Sequence, residues 1–359
     1  MLKLGIIGLP NVGKSTLFNA LTLGHAPAEN YPFTTVEPNV GTVLIPDAQL
    51  DQLAAILKPK KVVPAHLEFV DIAGLVKGAH DGEGLGNQFL ANIRDVDAAV
   101  HVVRCFASPD VVHVGAEISP AHDIEILHTE LMLADLDIVQ RALKKCGRAP
   151  DKAQQERAGI LQELAAPLED GHMIRETKPT TAALRLASEI GLLTHRRELY
   201  VANLGENPDE QQEAWAREVE AIAVKSNSSC VRVYGRMEAE LNDLQPDEQD
   251  MFRAELGLKD STIHRLIHAG FSLLDLIRFY TTENDILQAW SIEKGNMAPA
   301  AAGQIHSDMQ TGFISADVVS CEDLARTGSL RAAREEGCLR QEGKHYEVHD
   351  GDVFRFHFA

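Results

Sequence analysis

Apolar positions along the chain fall into two rhythms that take turns. Short solid runs read as buried strands: KLGIIG at 3–8, HLEFVDIAG at 66–74, AAVHVVRC at 98–105, ELYVANLGE at 198–206 and CVRVYG at 230–235. Between them apolar residues recur every three or four positions, as Leu17, Phe18 and Leu21 do in STLFNALT, which predicts helices. Strand ends fall near Gly8, Pro46, Gly74, Cys105, Asn203 and Gly235. Strands and helices alternating in this way predict an α/β fold with a mainly parallel sheet, whose ligands sit at the carboxyl ends of the strands.

Two stretches break the alternation. Residues 106–197 are far more than a crossover helix needs, so a unit is inserted there. Its first limb carries Ile124, Leu127, Leu131, Ala134 and Ile138, a turn CGRAP follows, and the return limb repeats the rhythm with Leu161, Leu164 and Leu168. This spacing predicts an antiparallel coiled-coil hairpin, a protruding arm of a few heptads. From about Ser272 the pattern becomes short strands, and DGDVFRFHF alternates apolar and polar residues after an Asp-Gly turn. The expected division is a nucleotide domain at 1–115 and 197–271, an arm at 116–196 and a small strand-rich domain at 272–359.

Composition changes this picture little. With 359 residues, 45% hydrophobic and 24% charged, the chain matches an ordinary soluble protein of two or three domains. A net charge of −19 argues against wholesale attraction to nucleic acid or anionic membrane, while leaving room for a local basic patch. Lys294, Lys344 and Arg355 are scattered and form no such patch in the sequence. Five cysteines, odd in number and never in a C-x-x-C pair, fit neither a zinc spacing nor a disulfide framework and suit a reducing cytosol. No signal peptide or membrane span is expected, which points to a cytoplasmic protein.

The first candidate chemistry lies in GLPNVGKST, where Gly8, Gly13, Lys14 and Ser15 satisfy G-x-x-x-x-G-K-[ST] between a strand and a helix. Backbone N–H groups of this loop would cradle phosphates at the helix N-terminus, Lys14 would reach the β/γ-phosphates, and the Ser15 hydroxyl would meet Mg²⁺. Asp71 and Gly74 form D-x-x-G at a strand end, giving a carboxylate for Mg²⁺, directly or through water, and a backbone N–H for the γ-phosphate. In YPFTTVEPN, Thr35 rather than Thr34 is the expected switch threonine that completes the metal shell only while the γ-phosphate is present.

The base is addressed by Asn203-Leu204-Gly205-Glu206, where GTPases carry N-K-x-D. A carboxylate one methylene longer than Asp weakens the paired acceptance of guanine's donors, so ATP is favoured over GTP. Tyr234-Gly235-Arg236 stands where GTPases usually have Ser-Ala-Lys. Leu75 follows D-x-x-G where many GTPases have a water-orienting Gln, so that role passes to other groups. The candidates are Asn11, whose side-chain carbonyl would help bind K⁺, and His113, which titrates in the right range to assist a water. His80 is a weaker candidate than either. Slow intrinsic turnover is expected. The glycine-rich stretch after Leu75, with Gly78, Gly82, Gly84 and Gly86, suits a segment ordered in only one nucleotide state.

Taken together, GLPNVGKST, YPFTTVEPN, DIAGLVKGAHDGEGLGNQFL and NLGE resemble the Obg-like ATPases of the YchF subfamily. APAAAGQIHSDMQTGFISADVV and EGKHYEVHDGDVFRF resemble that subfamily's closing domain, a β-grasp module of the TGS type expected to dock or regulate. The resemblance implies a hydrolase that prefers ATP and tolerates GTP, uses Mg²⁺, is activated by K⁺ and associates with the ribosome and its RNA. It also implies that Asn11 to Thr16 wrap the phosphates and that Leu204 touches the base. Tyr234-Gly235-Arg236 departs from the pattern of the relatives. A monomer is the default expectation. An Obg-type GTPase in ribosome maturation, or a nucleotide-gated binding protein with incidental hydrolysis, are the rival readings.

Overall fold

The computed structural model describes residues 2–25, 40–72, 93–108, 117–146, 151–242, 244–255 and 261–359. Thr35, Gly74, Leu75, His80 and His113 lie outside the described residues. The chain forms two compact units, one from Met1–Thr42 with Glu68–Gly270 and one from Val43–Leu67 with Phe271–Ala359.

The first unit is built on a six-stranded sheet in the order β2-β4-β1-β5-β6-β7. Its strands are β1 (Lys3–Ile7), β2 (Val40–Leu44), β4 (His66–Asp71), β5 (Ala98–Cys105), β6 (Glu198–Leu204) and β7 (Ser229–Val233). β1 runs parallel to β4 and β5, and β5, β6 and β7 run parallel in turn. Every residue of β5 and β6 is buried, as their unbroken apolar runs demand of strands covered on both faces. The strand ends read from the sequence are met closely. Helices α1 (Lys14–His25), α6 (Glu210–Lys225) and α7 (Gly235–Leu241) follow β1, β6 and β7.

The inserted segment forms α3 (Pro120–Lys145) and α4 (Lys152–Glu169). Asp151 caps α4 by accepting from the Gln154 N–H at 2.8 Å, and the Gln154 side chain accepts from the Asp151 N–H at 3.2 Å. This reciprocal box fixes where the return limb begins. The two limbs are not a free coiled coil along their whole length. Leu127, Leu131 and Ala134 of α3 pack with Ile7, Ile72, Ile93 and Val96 of the nucleotide sheet's core. Only farther along does Val139 meet Leu161, Leu164 and Leu168, and there a third helix, α5 (Thr181–Glu189), joins with Ala183 and Leu186. The arm therefore shares the first unit's core rather than standing as a separate body. A three-four spacing marks an apolar face without saying which surface covers it.

The second unit holds a sheet ordered β11-β10-β12-β8-β9-β3. Here β8 (Leu276–Glu283) and β9 (Ile286–Glu293) form a hairpin whose turn residues Asn284 and Asp285 have φ of 53° and 59°, the left-handed pair that a two-residue turn requires. β12 (Asp352–Phe358) lies parallel to β8 and antiparallel to β10 (Phe313–Ser320), with β11 (Arg340–Glu342) beyond it. Helix α10 (Ala298–Ile305) buries Ala298, Ala301 and Ala302 against Phe279, Phe313, Val318 and Phe354.

One boundary differs from expectation. Val43–Leu67, expected within the nucleotide domain, belongs to the second unit. Its β3 (Lys61–Val63) pairs with β9, and its helix α2 (Ala48–Leu57) is capped by Asp47, which also accepts from the Tyr280 hydroxyl at 2.8 Å and pairs with Arg278 at 3.2 Å. Among the described residues, no helix is long and apolar enough to cross a membrane.

Candidate nucleotide site

The loop between β1 and α1 is shaped by what stands around it. Asn11 has φ 62° and Gly13 has φ 96°, so the chain curls through left-handed conformations before the helix starts. At Gly13 a Cβ would lie 2.3 Å from the Asn203 side-chain nitrogen, so only glycine fits. At Gly8 a Cβ would meet the Val102 carbonyl of the neighbouring strand at 2.5 Å. The first helical hydrogen bond runs from the Leu17 N–H to the Gly13 carbonyl. The N–H groups of Lys14, Ser15 and Thr16 accordingly belong to the first turn, where the helix itself supplies no acceptors and an anion is favoured.

Lys14 is buried, and its ammonium donates to the Leu9 carbonyl at 2.8 Å and the Gly8 carbonyl at 3.2 Å. Burial lowers its pKa to about 8, opposed by the charge of Asp71. The Ser15 hydroxyl donates to Asp71 Oδ2 at 2.9 Å, joining the two expected metal ligands across 56 positions of sequence. Asp71 Oδ1 is buried and has no hydrogen-bond partner among the described residues. An acceptor in that position is costly to leave unmatched. Its neighbours are a hydroxyl and a carboxylate oxygen, the hard donor set that Mg²⁺ takes. The residues present fit that ion.

On the base side, Asn203 is buried and both ends of its amide are used. Its Nδ2 donates to the Val12 carbonyl at 2.9 Å, and its Oδ1 accepts from the Gly235 N–H at 3.2 Å. It ties the phosphate loop to the segment after β7. Leu204 is 2% exposed, packed in a cluster with Val103, Ala202, Ala216 and Val219. The Leu204 side chain is thus turned into the apolar layer, and a base contact made by Leu204 would come from its main chain. Glu206 is half exposed and stands 3.6 Å from Arg236 Nε, which also pairs with Glu240 at 3.0 Å.

Two sequence families match the chain: the 50S ribosome-binding GTPase family over residues 3–138, and the YchF-GTPase C-terminal family, described as a protein of unknown function, over residues 276–359. The chain is 45% identical to the ribosome-binding ATPase YchF of Escherichia coli O157:H7 over 359 residues, covering 99% of each chain. It is 42% identical to the ribosome-binding ATPase YchF of Bacillus subtilis (strain 168) over 362 residues, again covering 99% of each. Its fold matches the solved structure of the Schizosaccharomyces pombe YchF GTPase with a TM-score of 0.86 at 31% identity, covering 99% of this chain and 97% of that one. The chain belongs to the YchF family.

Its first unit is thus a P-loop nucleotide-hydrolase domain carrying the YchF pattern. Of the site residues expected from sequence, Asn11 to Thr16, Asp71 and Asn203 to Glu206 stand at the carboxyl ends of β1, β4 and β6. The role of Asn203 as a clasp was not legible, because an asparagine does not announce its partners. The Glu206–Arg236 pair had a signal, since Arg236 was itself a departure from the family pattern.

Sequence reasoning missed a second polar cluster altogether. His101 of β5, His128 of α3 and Glu198 of β6 bring ligand-type atoms within 4.8 Å of one another. His101 Nδ1 lies 2.9 Å from Glu198 Oε1, and His128 Nε2 lies 3.1 Å from Oε2. Arg175, on the return from α4, donates to the same Oε2 and approaches His128 Nε2 at 3.4 Å. Burial would raise the Glu198 pKa, but the charges of Arg175 and His128 overcome it and hold the carboxyl well below its ordinary range. The guanidinium already fills the cationic place between the ligands, so in this YchF chain the cluster reads as an internal clasp between sheet and arm.

Proposed function

We propose that the protein is a cytoplasmic, monomeric ATPase that hydrolyses ATP to ADP and phosphate and, through its nucleotide state, changes its association with the ribosome. The observation that carries the reading is the Ser15–Asp71 clasp with its unmatched buried oxygen beside the Lys14 ammonium. The loop N–H groups bind the phosphates, Lys14 neutralises charge building on the β/γ oxygens, and Ser15 and Asp71 would hold Mg²⁺. Bound there, Mg²⁺ would supply further positive charge to the departing phosphoryl group. Water attacks the γ-phosphate in line. Thr35 and Gly74 are assigned the γ-phosphate-dependent contacts. Asn11 is assigned a carbonyl for K⁺, and His113 the assistance to water that Leu75 cannot give.

The base preference rests on Glu206. A carboxylate drawn toward Arg236 is poorly disposed to accept both guanine donors, which leaves adenine competitive. The names of the relatives support both halves of the reading, since two are ribosome-binding ATPases, while the fission-yeast protein is named a GTPase. Isothermal titration with ATP and GTP at equal concentration, in Mg²⁺, should give tighter binding of ATP. Turnover should rise when K⁺ replaces Na⁺ and again with ribosomes. A clear preference for GTP would overturn the ATPase assignment in favour of an Obg-type GTPase.

A further inference from the structure

Helix α3 has two apolar sides. One, with Leu127, Leu131 and Ala134, is taken up by the core of the sheet. The other walls an open groove of about 490 Å³ that follows the helix from Ala121 to Leu133, a length of roughly 18 Å. The end of α4, the segment after it and α6 complete the walls. Of the apolar lining, Ile124, Leu168 and Met173 are buried, Met132 and Ile222 are half-buried, and Leu133 is 37% exposed.

Charge around the groove is of one sign. Glu125, Glu169 and Glu176 line it, all exposed, and no lysine or arginine does. Among the described residues, the one ion pair of Glu125 is with His122 at 3.6 Å, and Glu169 has none. Glu176 accepts from the Met173 N–H at 3.1 Å. His128 also lines the groove, but its Nε2 is engaged by Glu198 at 3.1 Å.

Chemistry narrows the occupant. An apolar trough bordered by carboxylates is the complement of an amphipathic helix whose apolar stripe runs between lysines or arginines. Three turns of such a helix match the length of the groove. Two methionines among the lining suit a surface that moulds itself to side chains arriving from outside. The acidic border turns phosphate chains away, and a second copy of a chain with net charge −19 is likewise repelled. Proteins that live on RNA carry the required positive charge, so a ribosome offers such helices.

We propose that this groove docks a basic amphipathic helix of a ribosomal protein, with Glu125, Glu169 and Glu176 meeting its cations. The proposal rests on the ribosomal reading for the source of the helix, and the test separates the two. The probe is a fluorescein-labelled peptide of about sixteen residues, long enough to fill the groove, with leucines at helical spacing bordered by lysines. A sister peptide carries glutamates in place of the lysines. Both are titrated by fluorescence anisotropy against full-length wild type and against Glu125→Lys with Glu169→Lys. A control variant, Glu283→Lys with Glu293→Lys, makes the same change in net charge at exposed positions of the closing unit. Affinity for the lysine peptide should fall by roughly tenfold or more in the groove variant and by less than about threefold in the control. The groove variant should also bind the glutamate peptide more tightly than wild type does, a gain that unfolding cannot produce. For the source, Leu133 is replaced by p-benzoylphenylalanine and the protein is irradiated with purified ribosomes, where crosslinks should fall on a basic helix of a ribosomal protein.

A wild type that ignores the lysine peptide would overturn the proposal. Equal losses in the two variants, or no exchange of preference between the peptides, would overturn it as well, leaving only the pull of net charge. Crosslinks confined to RNA, or absent although the protein sediments with ribosomes, would also overturn it. If peptide selectivity held while the protein never sedimented with ribosomes, the ribosomal reading would fall and the groove would stand as a site for a basic helix from another protein.

Discussion

Asp71 and Glu198 are carboxylates on one parallel sheet, Asp71 at the carboxyl end of β4 and Glu198 at the opposite end, where β6 begins. Glu198 is surrounded by His101, His128 and Arg175, so both its oxygens are matched within the protein. Asp71 has one oxygen on Ser15 and the other unmatched among the described residues, beside a buried ammonium that leans on two carbonyls. Parallel strands leave their carboxyl ends open to loops, and ligands gather there. The contrast separates two uses of a charge taken out of water. Charge that is balanced from within holds elements together, while charge left partly unbalanced is poised for something from outside.

The sharpest way to break this comparison is Glu198→Ala. Removing one partner of a buried ionic cluster strands Arg175, so unfolding in urea should show a loss of about 3–5 kcal/mol. Because Glu198 is held well below its ordinary value of 4.5, its contribution is present above that pH and lost only as pH falls through the depressed folded value. The stability gap between wild type and variant should therefore hold steady from about pH 8 to 5 and close only in stronger acid. A gap that closed near neutrality would mean the cluster is not held by an ionised Glu198.

Lys14→Ala should behave in the opposite sense. Turnover of ATP should fall by roughly a hundredfold or more, as when one preorganised donor is removed from a reacting oxyanion. Its denaturation midpoint should move little, because the two carbonyl contacts that are lost are offset by removing a cation whose burial is itself unfavourable. If Lys14→Ala were as destabilising as Glu198→Ala, the distinction between the two clusters would fail. The smallest expected effect is that of Arg236→Ala. Releasing Glu206 from an exposed pair should raise affinity for GTP relative to ATP by a factor of about two to five, read by competition binding. An unchanged ratio would mean that Arg236 does not restrain Glu206.

Much of the sheet could be read directly. Continuous apolar runs such as AAVHVVRC can hardly be anything but central strands, and glycines around Lys14 fix a loop whose chemistry is set by spacing. Harder to read was anything whose partner lies far along the chain. The periodicity of α3 looked the same whether Leu127 and Leu131 faced another helix or the sheet, and the sheet took them. Leu204 sits in the motif expected to address the base, yet it ends strand β6 and its side chain falls into the apolar layer. Glu198, His101, His128 and Arg175 are scattered over almost a hundred positions, and no local rule gathers them. β3 has only three residues, too few to show a period, so nothing local tied Val43–Leu67 to strands more than two hundred residues later.

That excursion has a practical consequence for anyone dissecting the molecule. The polypeptide passes from one unit to the other three times, after Thr42, after Leu67 and after Gly270. A fragment ending at Gly270 would keep α2 and β3 while discarding β9 and Tyr280, their partners in the closing unit. Such a piece should be insoluble or partly unfolded, whereas one in which a short loop replaces residues 45–65, leaving β2 and β4 whole, should survive. The small closing unit, likewise, is not encoded by its own end of the gene alone.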